Sequence, residues 1–121
     1  MPRRIGRWIV AVAAAMFAST SSAHSRFDHA VPAAGSVVHV PPAQVELWFT
    51  ERIEPAFSSV HVLDNAGKHV DRDDGQVDST DAKRLRVSLQ PLVPGRYRVT
   101  WRVLSIDSHV THGEFTFDVA P

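Results

Sequence analysis

The sequence predicts an all-β sandwich of about seven strands, and three observations predict it. After residue 43, apolar residues recur at every second position in nearly every run, the period of a half-buried strand and not of a helix. The runs are short and are separated by turn signals: Pro32-Ala33-Ala34-Gly35, Pro41-Pro42, Asp64-Asn65-Ala66-Gly67, Asp73-Asp74-Gly75 and Pro94-Gly95. The 121 residues leave room for one domain, with no internal repeat and no second hydrophobic cluster. Several short strands at this spacing make a sandwich or a small barrel, and the sandwich is expected here.

The first 23 residues stand apart from that domain. Arg3, Arg4 and Arg7 form a basic start, Trp8 to Ala18 is an unbroken apolar run, and Ser19-Thr20-Ser21-Ser22-Ala23 follows. Ser21 and Ala23 place small residues at −3 and −1 of a signal-peptidase site. The apolar run is far shorter than the ~20 residues of a membrane-spanning helix. A cleaved signal peptide over residues 1–23 is therefore expected, with the sandwich over residues 24–121 and export to the bacterial periplasm.

Within the domain the strands follow in order. Val45, Leu47 and Phe49 share one face of the run that ends at Thr50, and Val60 and Val62 alternate with Ser59 and His61. Leu85, Val87 and Leu89 alternate with Arg84, Arg86 and Ser88. Tyr97, Val99, Trp101 and Val103 oppose Arg96, Arg98, Thr100 and Arg102, and Phe115, Phe117 and Val119 oppose Glu114, Thr116 and Asp118. Each run thus offers one face to a core and one to water. The polar segment Asp71 to Lys83 is expected to be an exposed loop.

Cleavage after Ala23 changes the composition. Lys+Arg falls from 13 to 10 against 13 Asp+Glu, a formal net charge of −3 with histidine neutral. Met1 and Met16 leave as well, and there is no cysteine, so the mature chain holds no sulfur. Disulfides and cysteine metal sites are excluded, and packing alone must stabilise the fold. A mildly acidic domain without a basic patch does not suit nucleic acid, and a monomer is expected.

Position singles out a few of the seven histidines. Cleavage makes His24 the first residue, where its α-amine and its ring nitrogen can chelate one metal together. Such a grip suits Cu(II), which favours nitrogen and oxygen donors in tetragonal geometry. In Asp107-Ser108-His109, a locally extended backbone would send Asp107 and His109 to the same side. With His24 these supply an amine, two imidazoles and a carboxylate, an equatorial set for one Cu(II). The same donors can hold Zn(II), and copper is favoured where both compete. Taken alone, Asp-x-His also reads as a solvated turn. Glu51, just past the strand at Val45–Thr50, reads either as an exposed carboxylate or as a group hydrogen-bonding around the metal. A regular strand would turn His112 to the other face. His29, His39, His61 and His69 read as surface or internally satisfied histidines.

At these residues the chain resembles the CopC-type periplasmic copper-binding proteins. His24, Pro32-Ala33-Ala34-Gly35-Ser36 and Val45-Glu46-Leu47-Trp48-Phe49-Thr50-Glu51 follow that family's opening pattern. The stretch Leu92 to Ser105 leads into Ile106-Asp107-Ser108-His109 and the closing Gly113-Glu114-Phe115-Thr116-Phe117-Asp118-Val119. The resemblance implies a cupredoxin-like or immunoglobulin-like sandwich. It also implies a Cu(II) site whose roles map onto His24, Asp107 and His109, with Glu51 at the position of a glutamate near the site. Some members bind Cu(I) through a methionine-rich loop; with no methionine after Met16, this chain resembles a Cu(II)-only member. The late motif departs from the Asp-Gly-His or Asp-Thr-His followed by proline that is frequent in the family, with Ser108 and Val110 in the neighbouring positions. Neither change removes a donor.

The expected function is a carrier or buffer in copper homeostasis or resistance, acting by binding and not by turnover. Copper would tie the N-terminus to the Asp107–His109 loop, and acid would release it by protonating the nitrogen donors. The family implies an inner-membrane copper transporter of the CopD type as partner. Two rivals are a copper redox enzyme with a His-brace-like site and a metal-free secreted interaction module. The carboxylate of Asp107 argues against the enzyme, because it fills the equatorial position where oxygen would bind.

Overall fold

A computed structural model of the chain describes residues 26–121. The expected signal peptide and His24 lie outside the described residues. Eight strands follow in order: β1 (Phe27–Val31), β2 (Val37–Val38), β3 (Gln44–Phe49), β4 (Ser59–Leu63), β5 (Gln76–Val77), β6 (Arg84–Ser88), β7 (Gly95–Leu104) and β8 (Val110–Val119). They form two four-stranded sheets, β1-β3-β6-β5 and β2-β8-β7-β4. Pairing is antiparallel except between β2 and β8. Among the described residues no helix is long and apolar enough to cross a membrane.

The expected sandwich is present, and the alternating residues build it. Val45, Leu47 and Phe49 of β3 and Leu85 and Val87 of β6 are buried from one sheet. Val60 and Val62 of β4, Tyr97, Val99 and Val103 of β7, and Phe117 and Val119 of β8 meet them from the other. Three of the eight are unmarked by alternation: β1, which a bulge interrupts, and β2 and β5, which have two residues each. The arginines of β7 lie outward as expected, with Arg96 Nε 2.9 Å from Asp118 across the β7–β8 ladder.

The segment Asp71–Lys83 is less of an exposed loop than its polarity suggests. It contains β5, and both Asp71 and Asp78 are buried. Asp78 accepts from the Thr80 hydroxyl at 2.6 Å and from the Thr80 and Asp81 amides at 2.8 and 3.2 Å, and it lies 3.3 Å from Arg84. The Thr80 hydroxyl, foremost among these, holds its carboxyl down at about 2. Polar composition hid this because an acid that closes a turn and one that faces water look alike in sequence.

One end of the sandwich is closed by aromatic rings from both sheets. Phe27 of β1 stacks on Trp101 of β7 at 6.0 Å between centroids and on Phe115 of β8 at 5.4 Å, and Phe49 of β3 meets Trp101 edge-on at 5.2 Å. A β-bulge between Phe27 and His29 lets Phe27 pack inward although buried Ala30 is three residues on. Gly113 faces Trp101 across the ladder, and a Cβ there would lie 2.6 Å from the indole ring.

Two outcomes follow from this packing. Gly113→Ala should destabilise the fold by about 1–3 kcal/mol through overpacking against Trp101, read as a lower urea midpoint at unchanged slope. Asp78 has its pKa depressed in the folded state, so its contribution is complete above the unfolded value near 3.9 and is lost as pH falls towards about 2. The stability gap between wild type and Asp78→Asn should therefore be constant from pH 7 to 5 and narrow between pH 4 and 2. A gap that stays constant to pH 2 would refute this account.

Candidate metal centre

Ten-residue strands β7 and β8 form a long hairpin, and its tip carries Asp107-Ser108-His109. The tip closes by backbone bonds from Ser108 N–H to Ser105 C=O and from Ser105 N–H to His109 C=O, both 2.9 Å. Ser108 has φ 72, in the left-handed region that residues with a Cβ rarely enter. The motif is thus a turn and not the extended segment the strand argument assumed. The turn brings the side chains together all the same: His109 Nδ1 lies 3.3 Å from Asp107 Oδ1.

Ser105 organises this tip. It is fully buried, and its hydroxyl donates to the Asp107 carboxylate and lies 3.1 Å from the His109 carbonyl. The His109 amide adds a bond to Asp107 Oδ1 at 3.3 Å. These donors, Ser105 above all, hold the Asp107 carboxyl at about 2, against some desolvation. Asp107 is therefore an anion at neutral pH, beside an imidazole, on a half-exposed loop. A carboxylate oxygen and a ring nitrogen at this separation suit a first-row divalent cation.

The chain after β3 runs beside the tip. Ile53 bridges Ser105, Ile106 N–H donates to Arg52 C=O at 3.0 Å, and Glu54 N–H donates to Leu104 C=O at 2.8 Å. Glu51 directly precedes Arg52 in this stretch. Arg26 is bound to the same stretch: Thr50 N–H donates to Arg26 C=O, and Arg26 N–H donates to the Thr50 hydroxyl, each at 2.9 Å. The start of β1 and the base of the Asp107–His109 turn are therefore both tied to the Thr50–Glu54 stretch. His24 itself lies outside the described residues. His112, on β8 opposite Arg102, is exposed and alternates in direction with Thr111 and Gly113.

Of the histidines set aside above, His29 is a satisfied surface residue, stacked on Trp48 at 4.5 Å with Nδ1 2.7 Å from Asp28. His61 and His69 are not solitary: they converge on buried Asp71. The signal for this was present, since His69-x-Asp71 has the two-residue spacing of Asp107-x-His109, and Asp64-Asn65-Ala66-Gly67 is a turn that folds it back on the strand bearing His61.

Comparison with known proteins bears on the whole domain. The CopC domain family matches residues 27–120. The protein YobA of Escherichia coli strain K12 is 35% identical over 98 residues, covering 80% of this chain and 79% of its own. Copper resistance protein C of Xanthomonas campestris pv. juglandis is 31% identical over 123 residues, 97% of this chain and 96% of its own. The crystal structure of CopC from Methylosinus trichosporium OB3b superposes with a TM-score of 0.76 at 36% identity, covering 81% of this chain and 95% of that one.

Removing the Ser105 hydroxyl isolates its role in the turn. In Ser105→Ala the Asp107 carboxyl should titrate well above its present value of about 2, towards the ordinary 3.8, in a carboxyl-carbon NMR titration. An unchanged titration would assign the depression to other groups.

Proposed function

The chain belongs to the CopC family, and on that premise we propose that it is a periplasmic copper protein that holds one Cu(II) with His24, Asp107 and His109. Signal-peptide removal after Ala23 would free the α-amine of His24, so that its amine and imidazole, the Asp107 carboxylate and the His109 imidazole form the equatorial set. The observation that carries this reading is the anchoring of Arg26 to Thr50, beside Glu51 and the Asp107–His109 turn. His24 is two residues before Arg26, so chain geometry keeps it within about 7 Å of that anchor. Glu51, next to the Arg52 that pairs with Ile106, would hydrogen-bond around the site and orient its ligands.

The donor set favours a carrier or buffer. Nitrogen and oxygen ligands suit Cu(II), and four protein donors in the plane leave no equatorial position for a substrate. The mature chain has no thioether or thiolate with which to favour Cu(I). Delivery to an inner-membrane transporter of the CopD type fits this role, with the protein acting as a monomer.

The reading is tested by titrating Cu(II) into protein that begins at His24, followed by electron paramagnetic resonance. One equivalent with a tetragonal nitrogen-and-oxygen spectrum is expected, lost in His109→Ala and in a chain extended by one residue before His24. At free copper 100 times Kd the mature fold should gain about 2.7 kcal/mol, read as a higher unfolding temperature. Equally tight binding by the extended chain would overturn the His24 ligand set. Copper-dependent peroxide turnover far above that of free Cu(II) would instead favour a redox enzyme.

A further inference from the structure

A second group of donors lies on another hairpin. The Asp64–Gly67 turn folds the chain back along β4, with Leu63 bridged to His69 and Val70 N–H donating to Val62 C=O at 2.9 Å. Asp71, two residues past His69, is itself bridged to Leu89, and the side chains of His61, His69 and Asp71 converge. The Asp71 side chain is only 1% exposed and is held by the Val62 and Asp73 amides at 2.9 and 3.2 Å. His61 Nδ1 lies 3.1 Å from one carboxylate oxygen and His69 Nδ1 3.4 Å from the other.

A carboxylate that merely staples this hairpin accounts for part of the arrangement. His61 makes an ordinary hydrogen bond to Asp71, but the approach of His69 is longer than one. Asp73 brings another carboxylate to the same place, with Oδ1 4.0 Å from His61 Nδ1, and its backbone has φ 57.

We propose that His61, His69 and Asp71, with Asp73 as a fourth donor, form a second binding site for a divalent cation of the Zn(II) and Cu(II) class. One donor atom from each of the first three lies within 4.8 Å of the others. Ligands on tetrahedral Zn(II) with bonds near 2.0–2.1 Å sit roughly 3.3 Å apart, and each histidine lies at about that distance from one oxygen of Asp71, His61 at 3.1 Å and His69 at 3.4 Å from the other. Two carboxylates neutralise a dication, and the amides of Val62 and Asp73 orient the buried one as outer partners orient a ligand. Each imidazole can ligate through Nδ1 with its proton on Nε2, so entry requires a change of tautomer and no net loss of a proton. The His61 and His69 side chains are 37% and 61% exposed, which leaves the cation a path from solvent. His61 pairs with Thr100, four residues along β7 from Leu104, so about 13 Å of strand separates this cluster from the other hairpin tip.

The test uses the chain beginning at His24 and carrying His109→Ala, titrated with Zn(II) by calorimetry and followed by NMR of the histidine rings. One equivalent is expected, shifting the rings of His61 and His69. Adding His69→Gln or His61→Gln should weaken it at least about tenfold, the scale that even outer partners of a metal site command. Asp71→Asn, which keeps an acceptor for the Val62 amide, should do the same with the fold intact by circular dichroism. Binding indifferent to all three substitutions, or no Zn(II) binding at all, overturns the proposal. Because the readout is the rings of His61 and His69 and the substitutions that abolish their shifts, the outcome is distinguishable from any Zn(II) held at the centre proposed above.

Discussion

The aromatic cluster of Phe27, Phe49, Trp101 and Phe115 is the contact on which the rest of the molecule's chemistry depends. Two of its rings come from the β1–β3 side and two from the β7–β8 hairpin, so it clamps the sheets together at one end. Aromatic pairs contribute about 0.5–1.5 kcal/mol each beyond the area they bury. Phe27 immediately follows Arg26, and Phe49 immediately precedes Thr50, the two residues whose backbones are joined. Packing of the rings therefore supports the joining of Arg26 to Thr50. The β-bulge after Phe27 and the missing Cβ at Gly113 are the two local concessions that let the rings fit.

Beyond the cluster, the hairpin of β7 and β8 carries donors further than a typical strand of about five or six residues would. Its tip is braced on the side facing Arg52–Glu54 by backbone bonds and from within by the buried Ser105 hydroxyl. That bracing explains how an exposed turn can hold a carboxylate and an imidazole side by side. The left-handed backbone at Ser108 is the conformational requirement of the arrangement, and serine meets it less readily than glycine would.

The five long runs were legible in the sequence because each buries one face, and period two records that burial directly. Their inward sets, such as Val45, Leu47 and Phe49, are the buried residues of the structure. β1, β2 and β5 were not legible: the bulge between Phe27 and His29 breaks the alternation of β1, and two-residue strands leave no pattern. For the candidate centre, residue type and spacing drew attention to Asp107 and His109, but the turn that brings them together depends on Ser105 and on the neighbouring Arg52, which spacing does not reveal. Asp71 was hidden differently. Its burial arises from the pairing of residues 70–72 with 88–90, a contact distant in sequence, so it read as one more acid in a polar segment.

The two clusters share a construction. In each, a carboxylate is fixed by hydrogen bonds before any cation is present and an imidazole stands two residues away. Asp107 is held ionised chiefly by the Ser105 hydroxyl. Burial pushes Asp71 up, but the Val62 amide and the His61 and His69 rings bring it below the ordinary carboxylate value. In both cases the negative charge is set by the fold, so cation binding need not drive off a carboxyl proton. They differ in where the remaining nitrogen donors originate. The proposed donors around Asp71 all belong to one hairpin and are present whenever the domain is folded. The proposed donors around Asp107 include an α-amine that exists only once the peptide bond after Ala23 has been cut. On the proposed ligand sets the precursor and the mature chain would be chemically different metal proteins: the hairpin cluster would be complete in both, whereas the set around Asp107 and His109 would gain its α-amine only in the mature one.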